Sequence, residues 1–381
     1  MKLRYSFVSI LLAAIFAAGC QETAETYPAI YITEAQVNAD KSMTIDVPPA
    51  ETKFTISSSV LVDEDVDVEL EICPDLLESF NKKNGKNYQI PPTGCYELST
   101  NKVKILAGYN TSAEVGFIVN DIAQFKEGVT YCVPIRIKNV SKLNVLDPSR
   151  TLFIVLKTPV ISKAIYLGGS NIYTIKGFKN NSDLAALPQL TLEARVYMNG
   201  FCNHDPYISS IIGKEGVCMV RFGDVKVPKD CLQICHDSYQ PAAADKPLQT
   251  KRWYHVAAVW SGSSWDLYID GQFATGVPTG GELMNLAEGR DFYIGASYGR
   301  GRPLNGYVAE CRVWTRALSQ SEIANNMNYV DPASEGLLAY WRMNAWEPGE
   351  NGGNVVKDLT GHGFDAYGDS SNPSMIDTKW L

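Results

Sequence analysis

Between residues 65 and 72 the chain alternates without a break. Val66, Val68, Leu70 and Ile72 take turns with Asp65, Asp67, Glu69 and Glu71. A period of two belongs to a β-strand with one buried face and one wet face. The habit recurs at 103–105, 114–119, 131–137 and 152–156, with turn-rich pieces such as Asn84-Gly85 and Pro91-Pro92-Thr93-Gly94 between the runs. A short helix is expected from Pro74 to about Asn81, with proline at its first position. Lys157-Thr158-Pro159 reads as a boundary. A second series of strands follows at 190–197, 217–222, 253–260, 265–270, 292–295 and 306–314, and the chain returns to strand at 336–343. Asp270-Gly271 marks a tight hairpin. Ser319-Gln320-Ser321-Glu322 is a capping box that opens one short helix. The pattern predicts an all-β chain with an N-terminal β-sandwich at 28–158 and a second domain at 161–381.

The front of the chain reads differently. Lys2 and Arg4 precede an apolar run from about Phe7 to Ala18, which ends in Ala18-Gly19-Cys20. This is an export signal rather than a membrane span. A cysteine after small residues is where bacterial lipoproteins are cut and acylated. The reading gives a signal peptide at 1–19, lipidation at Cys20 and a polar tether at 20–27. It implies a protein anchored by lipid in the outer membrane and facing the cell exterior. Loss of Lys2 and Arg4 takes the net charge from −8 to −10. So acidic a chain without a Lys/Arg run excludes nucleic acid as a partner.

Nine cysteines are many, and an exported chain meets an oxidising compartment. If 217–222 and 231–236 form a hairpin with Phe222 opposite Cys231, then Cys218 faces Cys235 and the pair is expected to bridge. Cys231, Cys235 and His236 make a weak zinc signal, for which buried thiols or a disulfide are the plainer reading.

The second half resembles the laminin-G-like, concanavalin A-like jelly roll. The resemblance rests on Leu190 to Tyr197, Trp253 to Trp260, Leu267 to Gly271 and, most specifically, Gly306 to Ser319 closing on Glu322-Ile323. The phrase Asp358 to Ala366 resembles a loop that comes first in many relatives but last here, so the chain ends look permuted. The first half resembles, more loosely, a β-sandwich domain of unknown function that opens Bacteroidota surface lipoproteins, some with an endoglycosidase behind it. Phe80-Asn81, Tyr88, Pro91, Val103 to Gly108 and Gly128 to Ile137 bear that likeness. Glu22 and Glu25 resemble the surface-export signal of such lipoproteins. Together these likenesses imply a glycan-handling lipoprotein working beside an outer-membrane transporter. They also imply that one curved sheet of the jelly roll holds sugar.

Chemistry read from side chains is sparser. The 65–71 acidic stripe could serve a glycosidase only if two carboxylates stood across the scissile bond. It lies in the wrong domain, and alternation alone explains it. It leaves room for a structural calcium and calls for no other cofactor. His255 lies in a strand phrase and reads as structural. Aromatics are the better clue, with 20 Tyr and 7 Trp against 13 Phe. Sugar rings stack on Tyr and Trp, and their hydroxyls need polar neighbours. Loop positions that combine the two are Tyr207, Tyr239, Tyr298 with Arg300, and Trp346. Trp253, Trp314 and Trp341 read as core. The expected function is non-catalytic glycan binding. A protein ligand for adhesion or assembly is the alternative, and a glycoside hydrolase ranks below both.

Overall fold

A computed structural model describes residues 27–168 and 171–380. The expected export signal and the lipidation expected at Cys20 lie outside them. In the first half the alternating run becomes the strand Val66–Ile72, with Val66, Val68 and Leu70 buried. It joins a five-stranded sheet in the order Asp40–Thr44, Thr151–Lys157, Tyr131–Val140, Val66–Ile72, Lys102–Ile105. Two three-stranded sheets complete this half, and Ile30, Phe54, Phe117, Ile135 and Leu156 form its core. The helix spans Leu76–Asn84 and begins two residues later than expected. Pro74 supplies a turn instead, its carbonyl accepting the Leu77 N–H at 3.0 Å. Asn84-Gly85 is the end of this helix rather than a link between strands, with Gly85 in the left-handed region that a C-terminal cap favours.

The second half is a sandwich of two eight-stranded sheets. One sheet runs Gln272–Pro278, Ser264–Ile269, Trp253–Trp260, Leu190–Met198, Gly306–Trp314, Val160–Leu167, Met375–Trp380, and Leu337–Trp341 also pairs with Gly306–Trp314. The other runs Val227–Cys235, Met219–Asp224, Ser209–Gly213, Tyr293–Ile294, Tyr173–Thr174, Ala366–Gly368, Asn354–Val356, Glu347–Pro348. Leu192, Val196, Phe222, Trp260, Trp265, Ile294 and Trp341 fill the space between them. Val160 pairs with Trp380 and Ile165 with Met375. The last strand therefore closes on the one that opens this half, which explains why the Asp358 loop comes late. That loop is structural: Asp358 accepts the N–H groups of Tyr340, Thr360 and Phe364. The capping box forms as expected, Ser319 and Glu322 bonding reciprocally around the helix Gln320–Asn325.

The two halves touch through charge and close packing. The Glu127 carboxylate takes two bonds of 2.9 Å from Arg342. Lys86 reaches Asn325 at 2.9 Å and Lys379 reaches Asp46 at 3.0 Å. Gly128 presses so tightly on Tyr329 that a Cβ there would lie 1.9 Å from the ring.

The cysteine bridge is a correction. Phe222 stands opposite Leu232, and Met219, not Cys218, stands opposite Cys235. Beyond Phe222 the ladder is irregular: Asp224 stands opposite Val227, so one residue on the first strand faces four on the second, and the pairing before it runs one residue off the expected register. With a side-chain period of two, a one-residue slip sends Cys218 into the core while Cys235 faces Glu215. The eight cysteines among the described residues are free thiols. Alkylation in denaturant without reductant should therefore label all eight. A mass short by two labels, with Cys218 and Cys235 in one cross-linked peptide, would contradict the register.

Candidate functional site

The second sheet sets Ser210, Arg221 and Gln233 in one cross-strand row. Their neighbours Val220, Phe222, Leu232 and Ile234 enter the core, so the row lies on the outer face. Arg221 donates to Gln233 at 2.9 Å, to Glu215 at 3.3 Å and to Asp224 at 2.6 Å. Glu215 also accepts from Arg302 at 2.6 Å. This buried network anchors the loop from Ser297 to Arg302. Ser297 N–H bonds Gly301 O at 3.0 Å, and Ser210 N–H bonds Arg302 O at 3.0 Å.

The loop is unusual in its backbone. Tyr298, Gly299, Arg300 and Arg302 have φ of 47°, 66°, 74° and 56°. Glycine visits that region freely; three other residues there are held by their surroundings. Arg302 is tied to Glu215 and Arg300 to Asp369. The outcome is a Tyr298 that stays 60% exposed, with the guanidinium groups of Arg302 and Arg290 at 4.9 and 5.0 Å from its ring centre.

Beside this loop Arg300 borders a cleft of about 270 Å³, shared with Thr174, Lys176, Asn351, Tyr367 and Asp369. Tyr293, Thr174 and Tyr367 pair across three strands. The Lys176 amine lies 4.4 Å from the Tyr367 ring centre. An aromatic surface edged by an ammonium, a guanidinium, a carboxylate and an amide can stack a pyranose and bond its hydroxyls.

The other expected residues lie elsewhere. Tyr207 is 40% exposed beside Gly223. Tyr239 stacks on His236 at 5.7 Å, just past the edge strand Val227–Cys235. Trp346 borders a separate cleft of about 90 Å³ next to the opposite edge strand Glu347–Pro348. Seven interstrand steps, roughly 33 Å, separate those edges. Tyr239 and Trp346 therefore cannot grip one small sugar together, whereas Arg300 reaches the middle of the sheet. Lys176, Tyr367 and Arg290 escaped the sequence reading. Thr174 brings these distant segments together, pairing with Tyr367 on one side and with Tyr293 on the other.

Carboxylates are mostly occupied. Asp65 and Asp67 in the acidic stripe pair with Lys104, and Glu69 pairs with Lys138. Glu193 and Glu310 share Arg312 but are buried, out of reach of a sugar. Asp266 has its carboxyl pushed up by burial, against a bond from Ser264. Glu282 sits against His236 at 3.1 Å. Among the described residues no three His, Cys, Asp or Glu side chains gather as a metal site. Cys231 turns to Asp230 and Ala244, while Cys235 turns to Glu215.

Two stacked eight-stranded sheets with this strand order define a concanavalin A-like jelly roll joined to an N-terminal β-sandwich. Residues 174–324 match the family model of the concanavalin A-like lectin/glucanase superfamily, and residues 24–144 match a separate model describing an N-terminal domain. The chain is similar along its length to a Bacteroides ovatus protein proposed to bind carbohydrate. The identity is 26%, with 92% of this chain and 97% of that one covered and a TM-score of 0.60. Smaller shares resemble the heptameric SAP-like pentraxin of Limulus polyphemus (17% identity, 57% of this chain, 94% of that one, TM-score 0.38). The fourth domain of an extracellular arabinanase from Geobacillus stearothermophilus, in complex with arabinotriose, is similar at 15% identity (44% of this chain, 86% of that one, TM-score 0.32). No curated protein matches the sequence.

Proposed function

We propose that this protein is a lipid-anchored lipoprotein of the outer membrane that holds glycan at the cell exterior without cleaving it, for a neighbouring transporter. The observation that supports binding is the Tyr298 loop. Three non-glycine residues sit in the left-handed region, and two anchored arginines keep an aromatic ring in solvent beside a polar cleft. Residues held in that conformation cost energy and cluster at ligand clamps, and here they coincide with an exposed ring, which supports a contact surface. The likeness to the Bacteroides ovatus protein extends over both domains and agrees with this reading. Absence of cleavage is supported by the burial of Glu193 and Glu310. The anchor rests on Cys20 and its flanking residues.

Binding through one exposed ring and a small cleft buries little area, so affinities in the micromolar to millimolar range are expected. In calorimetry against a panel of short oligosaccharides, Tyr298→Ala should weaken binding about tenfold or more. Its stability should move by less than about 0.5 kcal/mol, because the ring is exposed. Lys176→Ala should act in the same direction. Release of product from any glycan would make the protein an enzyme. Capture of a protein and of no sugar would make it an adhesin.

A further inference from the structure

The opposite sheet bears a second surface. In Leu190–Met198, the residues Leu192, Ala194, Val196 and Met198 enter the core, so Glu193, Arg195 and Tyr197 face outward. Glu193 bonds the Trp314 indole in the part of the face packed under Leu318 and Ile323, and Arg195 lies 4.1 Å from the Trp380 ring centre. Tyr197 lies beyond that cover. Register places Tyr166 opposite Tyr307, Tyr307 opposite Tyr197, and Tyr197 opposite Trp253. Four neighbouring strands thus present four aromatic rings in one row, with centres 5.2, 6.0 and 5.4 Å apart. All four are partly buried: Trp380 meets the Trp253 ring edge-on at 4.7 Å and Tyr307 packs on the same cluster, which leaves Tyr197 and Tyr166 as the members of the row outside that cluster. The row spans three interstrand steps, roughly 14 Å.

Polar groups line one margin. Tyr166 donates its hydroxyl hydrogen to Asn305 at 3.0 Å. Lys251 bonds Asn199 at 2.7 Å and lies 5.9 Å from the Tyr197 ring centre.

We propose that this row is a second carbohydrate site, which takes an extended polysaccharide chain lying across the strands. The inference rests on the glycan reading and adds the ligand's form. A row of regularly spaced rings matches a ligand that repeats, and a pyranose chain offers C–H faces at regular intervals. The interleaved phenol, amide and ammonium groups suit its hydroxyls. The Tyr298 cleft mixes Lys176 and Arg300 with Glu350 and Asp369, while the two cations beside the row already have partners, Lys251 in Asn199 and Arg195 in Asn328 and the Trp380 ring. The ligand is therefore a neutral chain.

The full mature protein should be run in native gels containing a neutral polysaccharide, with short fragments of the same polymer titrated in calorimetry. Tyr307→Ala and Tyr166→Ala should weaken retention by the polysaccharide about tenfold and leave short-fragment binding within twofold. Tyr307→Phe should retain binding, because the ring remains. Tyr298→Ala should do the reverse, losing short fragments while the gel still retards the protein. Polysaccharide retention unchanged in folded Tyr307→Ala and Tyr166→Ala, with short fragments still bound, overturns the row alone. Loss of self-association in these variants, with polysaccharide retention intact, would assign the row to a second copy and also overturn it. Failure of the wild type to bind either ligand overturns the glycan reading itself.

Discussion

Arg312→Ala is expected to destabilise the jelly roll by about 3–5 kcal/mol, because it strands two buried carboxylates. The Arg312 side chain is fully buried and lies 3.5 Å from Glu193 and 3.2 Å from Glu310. Glu193 also meets the Trp314 indole N–H at 2.7 Å and His255 at 3.3 Å. Glu310 accepts from Tyr340 and, at 3.0 Å, from Arg342, which continues to Glu127 in the first domain. Charges alternate along the whole chain of contacts. Burial pushes the Glu193 carboxyl up, but Arg312, His255 and Trp314 outweigh it and leave the group below its ordinary value of 4.5. A depressed carboxyl contributes stability above that value and loses it as pH falls. Burial likewise lowers His255 from 6.5, against the pull of Glu193, so its contribution is also lost on acidification. Without Arg312 the sign for Glu193 reverses. Burial then dominates, the folded pKa rises, and stability is lost as pH climbs above 4.5. Arg312→Ala should therefore be milder at pH 5 than at pH 8. Urea titrations followed by tryptophan fluorescence read this domain selectively, since all seven tryptophans lie beyond residue 252. Equal damage at both pH values would show that Glu193 does not depend on Arg312.

Trp341→Ala should cost a similar amount, about 3–5 kcal/mol. The ring is buried between the sheets, 6.3 Å from Phe178, and its indole N–H donates to Phe364 O at 2.8 Å. Truncation leaves a large cavity and removes the donor for a partly buried carbonyl. The contact ties Leu337–Trp341 to the segment that leads into the closing strand, so the change loosens the seam where the chain ends meet. For a domain of this size the loss corresponds to a fall in Tm of roughly 6–20 °C. Scanning calorimetry would measure it. Trp341→Phe should recover part of the loss; recovery to wild type would mean that the indole bond contributes nothing.

Local signals were legible in the chain. Trp253–Trp260 and Gly306–Trp314 begin and end where the alternation does. Asp270-Gly271 forms its turn with φ of 48° and 72°. Ser319 and Glu322 close their capping box. What one sequence lacks is the identity of each strand's neighbour. Trp253 reads as core from its phrase and does pack against the buried Trp380, but it also ends an aromatic row whose other members, Tyr197, Tyr307 and Tyr166, come from three distant strands. Cys218 missed Cys235 for the converse reason: the neighbouring strand was right, but the ladder is irregular near Gly223 and runs one residue off the expected register. At the site, Tyr298 and Arg300 could be picked by residue type. Lys176 and Tyr367 became visible only once Thr174 was seen to pair with Tyr367.

The central claim is that this jelly roll binds sugar at the Tyr298 loop and does not cut it. Calorimetric titration of the mature protein and of Tyr298→Ala with one panel of short oligosaccharides, with the mixtures then analysed for cleavage, tests it most directly. The account predicts weak binding by the wild type, a loss of about tenfold or more in the variant, and intact oligosaccharide in every tube. Equal binding by the two proteins, or shortened products from the wild type, would contradict it.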